Sequence, residues 1–388
     1  MKRDAFQSIR LPTPGGMEAY QVREPKRFER PKKPFSRIAY AAAHVVADPL
    51  SAKEPWLEQA IDWDATIAYR RHLWSWGFGV AEAMDTAQRG MGLDWKNSLE
   101  LIRRSIQASG KGDVIASGAG TDHLPANEKH SIEKIVAAYE EQCAAIEKLG
   151  GRIILMASRA LAASAKSPDD YGKVYDRILS QVKQPVIIHW LGEMFDPALE
   201  GYWGKKDHRQ AMTVCLSVIE KNKDKVDGIK VSLLDKDKEI EMRRRLPKGV
   251  RMYTGDDFNF AELIEGDAQG HSDALLGIFD SIAPAASQAL THLSTGEKAK
   301  YHEVLSPTVP LSRHIFQAPT RFYKTGVVFM AWLNGHQEHF VMVGGQQSAR
   351  NVLHFSELFR LADAAGLLAD PELACRRMKQ LLALHGCS

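Results

Sequence analysis

Along most of this chain, short apolar β-branched runs alternate with longer stretches in which apolar residues recur every three to four positions. The short runs fall at 37–46, 78–83, 113–117, 152–156, 185–190, 228–232, 250–254 and 274–278. The longer stretches fall near 62–76, 94–109, 131–149, 168–182, 208–223, 236–245 and 258–266. The first kind has the length of strands buried on both faces, and the second has helical period. Strands alternating with helices build βα units on a parallel sheet. Eight such strands in about 250 residues is the count of a (β/α)8 TIM barrel, an α/β fold. The expected layout is an N-terminal arm at 1–35, the barrel at 36–285 and a helical C-terminal extension at 286–388. Within the extension, helices are expected near 286–304 and 349–366, with one further strand candidate at 340–343.

Local punctuation agrees. Ser167-Pro168-Asp169-Asp170 supplies an N-cap serine, a proline for the first turn and two carboxylates at the positive helix end. Gly150 and Gly151 close a long helix. The arm carries Pro12, Pro14, Pro25, Pro31 and Pro34, and is expected to lie extended on the body or on a neighbouring subunit. Its run Lys26-Arg27-Phe28-Glu29-Arg30 reads as a solvated face.

Composition narrows the class. Of 388 residues, 44% are hydrophobic and 26% charged, as in globular proteins, and the net charge is +3. That balance is too mild to argue for nucleic acid, and no apolar run approaches the roughly 18 residues of a membrane span. The start MKRDAFQSIRLPTPGG has no apolar h-region, and the four cysteines are scattered without a CxxC pair. A reduced, cytoplasmic protein without a disulfide framework is expected. The arm, with Leu353, Phe355, Leu358, Phe359 and Leu361, offers more apolar surface than one barrel flank needs, so a homo-oligomer is expected.

The chemistry concentrates in Asp227-Gly228-Ile229-Lys230-Val231-Ser232-Leu233-Leu234. Side chains alternate along a strand, so Ile229, Val231 and Leu233 would face the helices. Gly228, Lys230 and Ser232 would then point into the barrel. Burial lowers a lysine's pKa, and a free amine can attack a carbonyl. The bland alternative is a salt-bridged structural lysine.

This segment resembles the Schiff-base strand, a Gly-Ile-Lys on strand six, of the dihydrodipicolinate synthase and N-acetylneuraminate lyase superfamily. Tyr253-Thr254-Gly255-Asp256-Asp257 is similar to that family's Ser-Gly-Asp-Asp after strand seven. Ser281-Ile282-Ala283-Pro284 resembles its Asn-Val-Ala-Pro after strand eight. Met84-Asp85-Thr86-Ala87-Gln88-Arg89 sits without gaps on its Gly-Thr-Thr-Gly-Glu loop, and Pro185-Val186-Ile187-Ile188 resembles its fifth strand. The resemblance spans about residues 36–370. It implies a class I aldolase barrel: a lyase or hydro-lyase acting on a small oxo acid or keto sugar through an iminium at Lys230. No metal, nucleotide or flavin cofactor is implied; the partner is a small-molecule carbonyl substrate.

Two family features are missing. Family members carry a proton-relaying tyrosine at the end of strand four, and the matching Met156-Ala157-Ser158-Arg159-Ala160-Leu161 has none. Of the loop's two hydroxyl residues only Thr86 remains, with Ala87 in the place that helps hold a pyruvate carboxylate. Either another group carries the proton, or the substrate lacks a 2-oxo carboxylate, or the lysine serves another task. His189, at the end of strand five, is the leading replacement acid/base. Asp85, Thr86, Asp122, His123, Arg159, Glu193, Gly255, Asp256 and Asp257 are the remaining candidates for the substrate-binding rim. Asp122 and Asp257 could equally cap the helices that follow them, and Arg159 could form a surface ion pair. A second reading has Asp122, His123, His189, Glu193 and Asp257 hold a divalent metal for sugar isomerisation or hydrolysis. A third is a non-catalytic barrel that binds a metabolite.

Overall fold

The computed structural model describes residues 8–125 and 128–387. Eight parallel strands close a barrel: β3 (Ala39–Ala42), β4 (Gly79–Glu82), β5 (Ile115–Ala119), β6 (Arg152–Leu155), β7 (Val186–Leu191), β8 (Val226–Ser232), β9 (Arg251–Thr254) and β10 (Asp273–Leu276). They pair in chain order, with β10 returning to β3. Before them, β1 (Ser8–Thr13) and β2 (Gly16–Gln21) form an antiparallel hairpin. The crossovers carry α1 (Trp63–Ser75), α2 (Trp95–Ala108), α3 (Ile132–Lys148), α4 (Arg159–Ser164), α5 (Pro168–Gln181), α6 (His208–Lys221), α7 (Lys236–Arg245) and α8 (Phe260–Glu265). The one-turn α9 (Ile278–Ser281) follows the last strand. The C-terminal region then adds α10 (Ala283–Ser294), α11 (Lys298–Leu305), α12 (Val309–Ile315), α13 (Tyr323–Leu333), α14 (Val352–Ala364) and α15 (Pro371–Leu384). Among the described residues no helix is long and apolar enough to cross a membrane.

Side-chain acceptors start the crossover helices. Asp62, Asp94, Ser131, Asp207 and Asp235 accept from backbone N–H groups in the first turns of α1, α2, α3, α6 and α7. Ser167 sits at the N-cap of α5 without a side-chain bond, and Asp170 instead accepts from the Lys166 N–H at 2.9 Å.

Ile229, Val231 and Leu233 join the large core between barrel and helices. A separate apolar cluster fills the barrel interior, including Tyr40, Ala81, Ala116, Ile154, Ile187 and Tyr253. The Tyr40 and Tyr253 rings meet edge to face at 6.2 Å, and the Tyr253 hydroxyl donates to Asp227 at 2.6 Å. Space for these rings comes from two glycines. A Cβ on Gly79 would lie 2.7 Å from the Tyr40 ring, and one on Gly228 would lie 2.6 Å from the Tyr253 ring. The glycine before Ile229-Lys230 therefore has a packing cause of its own.

Several expectations are corrected. The arm is not simply extended: it begins with the hairpin, which packs on its own chain. Ile9 and Leu11 are buried, the Ser356 hydroxyl donates to the Pro12 carbonyl at 2.7 Å, and the Tyr20 hydroxyl donates to Asp363 at 2.7 Å. The stretch expected as one helix at 286–304 is α10 and α11, broken where Gly296 takes φ +81°. Residues 340–343 form no strand; Phe340 instead stacks on Trp332 at 5.5 Å. Phe355, Leu358 and Phe359 are buried within the chain, while Leu353 stays exposed and Leu361 is partly buried, so the apolar surface on which the homo-oligomer was argued is smaller than expected.

Candidate active site

Lys230 lies in the middle of β8, in register with His189 of β7 on one side and Tyr253 of β9 on the other. Its side chain is 8% exposed, and Nζ has no hydrogen-bond or ion-pair partner among the described residues. Burial pushes its pKa down, while the carboxylates of Asp257 and Asp85 pull it back up. Asp257 shows the complementary effect. Burial pushes its carboxyl up to about 7, against the Ile278 N–H and the charge of Lys230, which both hold it down. Burial thus favours the uncharged form of both groups.

Gly255 makes room for the lysine. A Cβ there would lie 2.7 Å from Lys230 Cε and would also strike the Ser232 hydroxyl. Ser232 bonds His189 Nε2 at 3.2 Å, and His189 Nδ1 is buried without a partner among the described residues. Burial, reinforced by Lys230, pushes His189 well below 6.5, so its ring is neutral. Asp256 supports the turn: its Oδ1 accepts from Phe258 N at 2.8 Å and Asn259 N at 3.0 Å. Asp256, not Asp257, thus holds the turn that leads into α8, whose N-cap Asn259 makes no side-chain cap bond. Asp257 instead accepts from Ile278 N at 2.9 Å, at the head of α9, with the Gly277 N–H also held against its carboxylate.

The loop after β4 brings Asp85 and Thr86 to the same rim, where both are buried. Thr86 Oγ1 hydrogen-bonds the hydroxyl of Tyr323, the first residue of α13, at 2.8 Å. Burial and the charge of Asp85 push Tyr323 well above 10, Asp257 adds to this, and the phenol stays protonated. The next residue, Lys324, is also buried. Its Nζ donates to the Arg321 carbonyl at 3.0 Å, and burial pushes it down to about 8 although Asp85 opposes. Arg159 pairs through Nε with Asp196, leaving its two terminal NH2 groups without a hydrogen bond among the described residues. Burial works against its charge, but Asp85, Asp196 and Asp122 outweigh it, and the guanidinium pKa is raised. A small cavity of about 90 Å³ lies beside this arginine, lined also by Thr121, Asp122, Met156 and Gly90.

Other expected rim residues go elsewhere. Asp122 does not cap α3; it pairs with Arg89 and accepts from Gln142 at 3.1 Å. His123 turns to α3, with Nδ1 bonded to Gln142 at 2.8 Å and Nε2 lying 3.4 Å from Glu141. Glu193 is exposed. The proposed metal donors are therefore dispersed, and among the described residues no group of three histidine, cysteine or carboxylate side chains could hold a metal ion. Tyr323 and Lys324 were missed by sequence reasoning. Their only signal is a polar pair at the head of the apolar run Gly326-Val327-Val328-Phe329-Met330.

A closed eight-stranded barrel with a helical C-terminal region is the architecture of the dihydrodipicolinate synthase fold, and this chain shares that fold with solved structures. One is YagE, a prophage protein of the dihydrodipicolinic acid synthase family from E. coli K12, in complex with pyruvate. It is 12% identical, with TM-score 0.65, covering 86% of this chain and 99% of that one. Dihydrodipicolinate synthase DapA-2 from Bacillus anthracis is 15% identical, with TM-score 0.62 and coverage of 86% and 98%. The 4-hydroxy-tetrahydrodipicolinate synthase of Methylacidiphilum fumariolicum SolV is 15% identical, with TM-score 0.62 and coverage of 89% and 99%. The chain itself belongs to the family described as protein of unknown function (DUF993), whose sequence model matches residues 9–387. No curated protein matches by sequence.

Proposed function

We propose that this protein is a class I aldolase-type lyase or hydro-lyase that forms a Schiff base at Lys230 with a small oxo acid or keto sugar. The observation that carries the reading is the unpaired, buried amine of Lys230 facing a carboxyl of raised pKa on the neighbouring strand end. Burial favours the free amine, which is the nucleophile. Asp257 is placed to take the proton that the amine releases.

The amine attacks the carbonyl carbon. The carbonyl oxygen gains two protons and leaves as water, and an iminium remains. In aldol cleavage the electrons of the adjacent C–C bond then move toward the iminium nitrogen, giving an enamine and a carbonyl fragment. Cleaving a C–C bond also removes a proton from the neighbouring hydroxyl. Cleaving a C–O bond instead starts with loss of a proton from the carbon beside the iminium. The resulting enamine expels the oxygen on the next carbon, which takes up a proton and leaves as water, and the unsaturated iminium is then hydrolysed. The Thr86–Tyr323 hydroxyl pair supports this proton traffic, with a protonated phenol where strand four supplies no tyrosine. Protonation of the enamine carbon and addition of water free the product and return the lysine. Arg159 and Lys324 are cations suited to an acidic group on the substrate. His189, neutral and bonded to Ser232, holds the β7–β8 wall beside the lysine.

The test is borohydride trapping with pyruvate, longer 2-oxo sugar acids and keto sugars, read as adduct mass on the peptide containing Lys230. An adduct that disappears in Lys230→Arg is expected, stronger with the longer compounds because Ala87 replaces a hydroxyl. If no carbonyl compound traps, or the adduct survives the substitution, the reading falls.

A further inference from the structure

A second cavity, of about 230 Å³, lies outside the barrel between α1, the α9–α10 corner, the end of α13 and the α14–α15 turn. At roughly 30 Å³ per water it holds about eight waters, or one compact organic molecule. Nothing in the Lys230 chemistry uses it. Its wall is mostly apolar, with Met330, Pro284 and Leu367, yet it carries polar groups that have nothing to bind. The His72 and His336 rings sit 4.2 Å apart, and none of their nitrogens has a hydrogen bond among the described residues. Trp76 Nε1 and Ser281 Oγ, from two other lining residues, are buried without a partner among the described residues. Unpaired buried donors are costly, so sites that retain them have a use for them.

The charge around the cavity selects the sign of the ligand. Lys26 lines it, the Arg30 guanidinium lies 5.6 Å from the Trp76 ring centre, and the Arg377 charge reaches His336. The acidic lining residue is Asp280, and it is already satisfied: it accepts from His44 N at 2.9 Å, His44 Nδ1 at 2.8 Å and the Tyr69 hydroxyl at 3.1 Å. Arg377 is itself paired with Glu338 at 2.8 Å, so Lys26 and Arg30, without ion pairs among the described residues, are the cations set against one spent carboxylate.

We propose that this cavity is a second small-molecule site, independent of Lys230, that takes a compact monocarboxylate. The carboxylate lies against His72, His336 and Lys26, and the apolar body lies against Met330, Pro284 and Leu367. Burial keeps both imidazoles neutral, pushing His72 to about 4 and His336 to about 3. His72 is faced by Asp280, Arg30 and His44, and His336 by His72, His44 and Arg377. An incoming carboxylate favours the charged imidazole, so binding takes up a proton and weakens as pH rises.

The probes are 4-fluorobenzoate and 4-fluorobenzyl alcohol, followed by fluorine NMR on the full chain. Calorimetry in two buffers of different ionisation enthalpy counts the protons. The benzoate is expected to bind with proton uptake, and the alcohol at least about tenfold more weakly. His336→Phe keeps the ring and should weaken the benzoate at least about tenfold, while Leu367→Trp should fill the cavity and abolish binding. Ser281→Ala, the mildest change, should weaken it severalfold and stands in if Leu367→Trp does not fold. No binding at millimolar benzoate, binding indifferent to His336→Phe and Ser281→Ala, or binding lost in Lys230→Met overturns the proposal.

Discussion

Lys230→Met should make the protein more stable while abolishing covalent trapping. Methionine keeps the length of the stem and removes the charge. In the wild type Nζ is buried, with no hydrogen bond or ion pair among the described residues to offset desolvation. Replacing buried charges with apolar side chains is often neutral or stabilising by about 1–4 kcal/mol. The opposing cost is small. Asp257 loses the attraction of Lys230, but its carboxyl is already pushed up to about 7. Making it a tenfold weaker acid adds only about 0.4 kcal/mol at pH 7. The expected net gain is about 1–3 kcal/mol. With an unfolding entropy of about 2.1 cal/mol/K per residue, a chain of this length shifts Tm by about 1.2 °C per kcal/mol. A rise of about 1–4 °C is therefore expected by differential scanning calorimetry at pH 7. The sign follows from linkage: the folded lysine has a pKa below its unfolded value, so it destabilises wherever it is forced to hold a proton. The gain should grow toward pH 5, where Asp257 is protonated and no longer stabilises the ammonium. A Tm lowered by several degrees would show that Lys230 is a structural ion-pair partner, and the catalytic argument would fail with it.

Tyr323→Phe keeps the ring that stacks on Phe316 and removes only the hydroxyl; adduct formation should persist while turnover falls about 10²–10⁴-fold, measured by parallel trapping and steady-state assays. Asp257→Asn keeps the acceptor for Ile278 N but cannot take a proton. The wild-type rate of adduct formation should rise as pH climbs through about 7, and that rise should vanish in the variant. Gly255→Ala puts a methyl 2.7 Å from Lys230 Cε, and should slow trapping at least about tenfold with the circular dichroism unchanged. Glu239 accepts from Thr254 Oγ1 and Ser272 Oγ, and burial pushes it from 4.5 up to about 8. A carboxyl with a raised folded pKa loses stability as pH rises between its unfolded and folded values. Glu239→Gln should therefore flatten the fall in Tm between pH 4.5 and about 8 and be more stable than wild type by about 1–3 kcal/mol at pH 9.

Fold class and strand order were legible in the chain because a buried parallel sheet writes itself locally. Each strand is a short apolar run, and each crossover is a helix with one apolar stripe and an acceptor at its head. The inward direction of Lys230 was legible for the same reason: alternation along a strand is a property of the backbone alone. Gly228 and Gly255 could be seen as parts of motifs, but their packing reasons could not. One yields to a tyrosine ring from β9, the other to Lys230 itself.

What the tertiary structure alone decided is which side chains meet. Thr86 and Tyr323 are 237 residues apart and bond only because α13 starts at the barrel mouth. Sequence patterns are blind to such pairs, since neither residue breaks the period of its own element. Asp122, His123 and Glu193 follow strand ends just as Asp257 does, yet a neighbouring glutamine, a helix flank and solvent claim them. The sequence by itself determined the barrel, the lysine and the face it points to, because these depend on local period and hydrophobic burial. Which carboxyl stands beside that lysine, which tyrosine meets Thr86 and where the unpaired histidines open a second cavity depend on long-range packing, which no local pattern encodes.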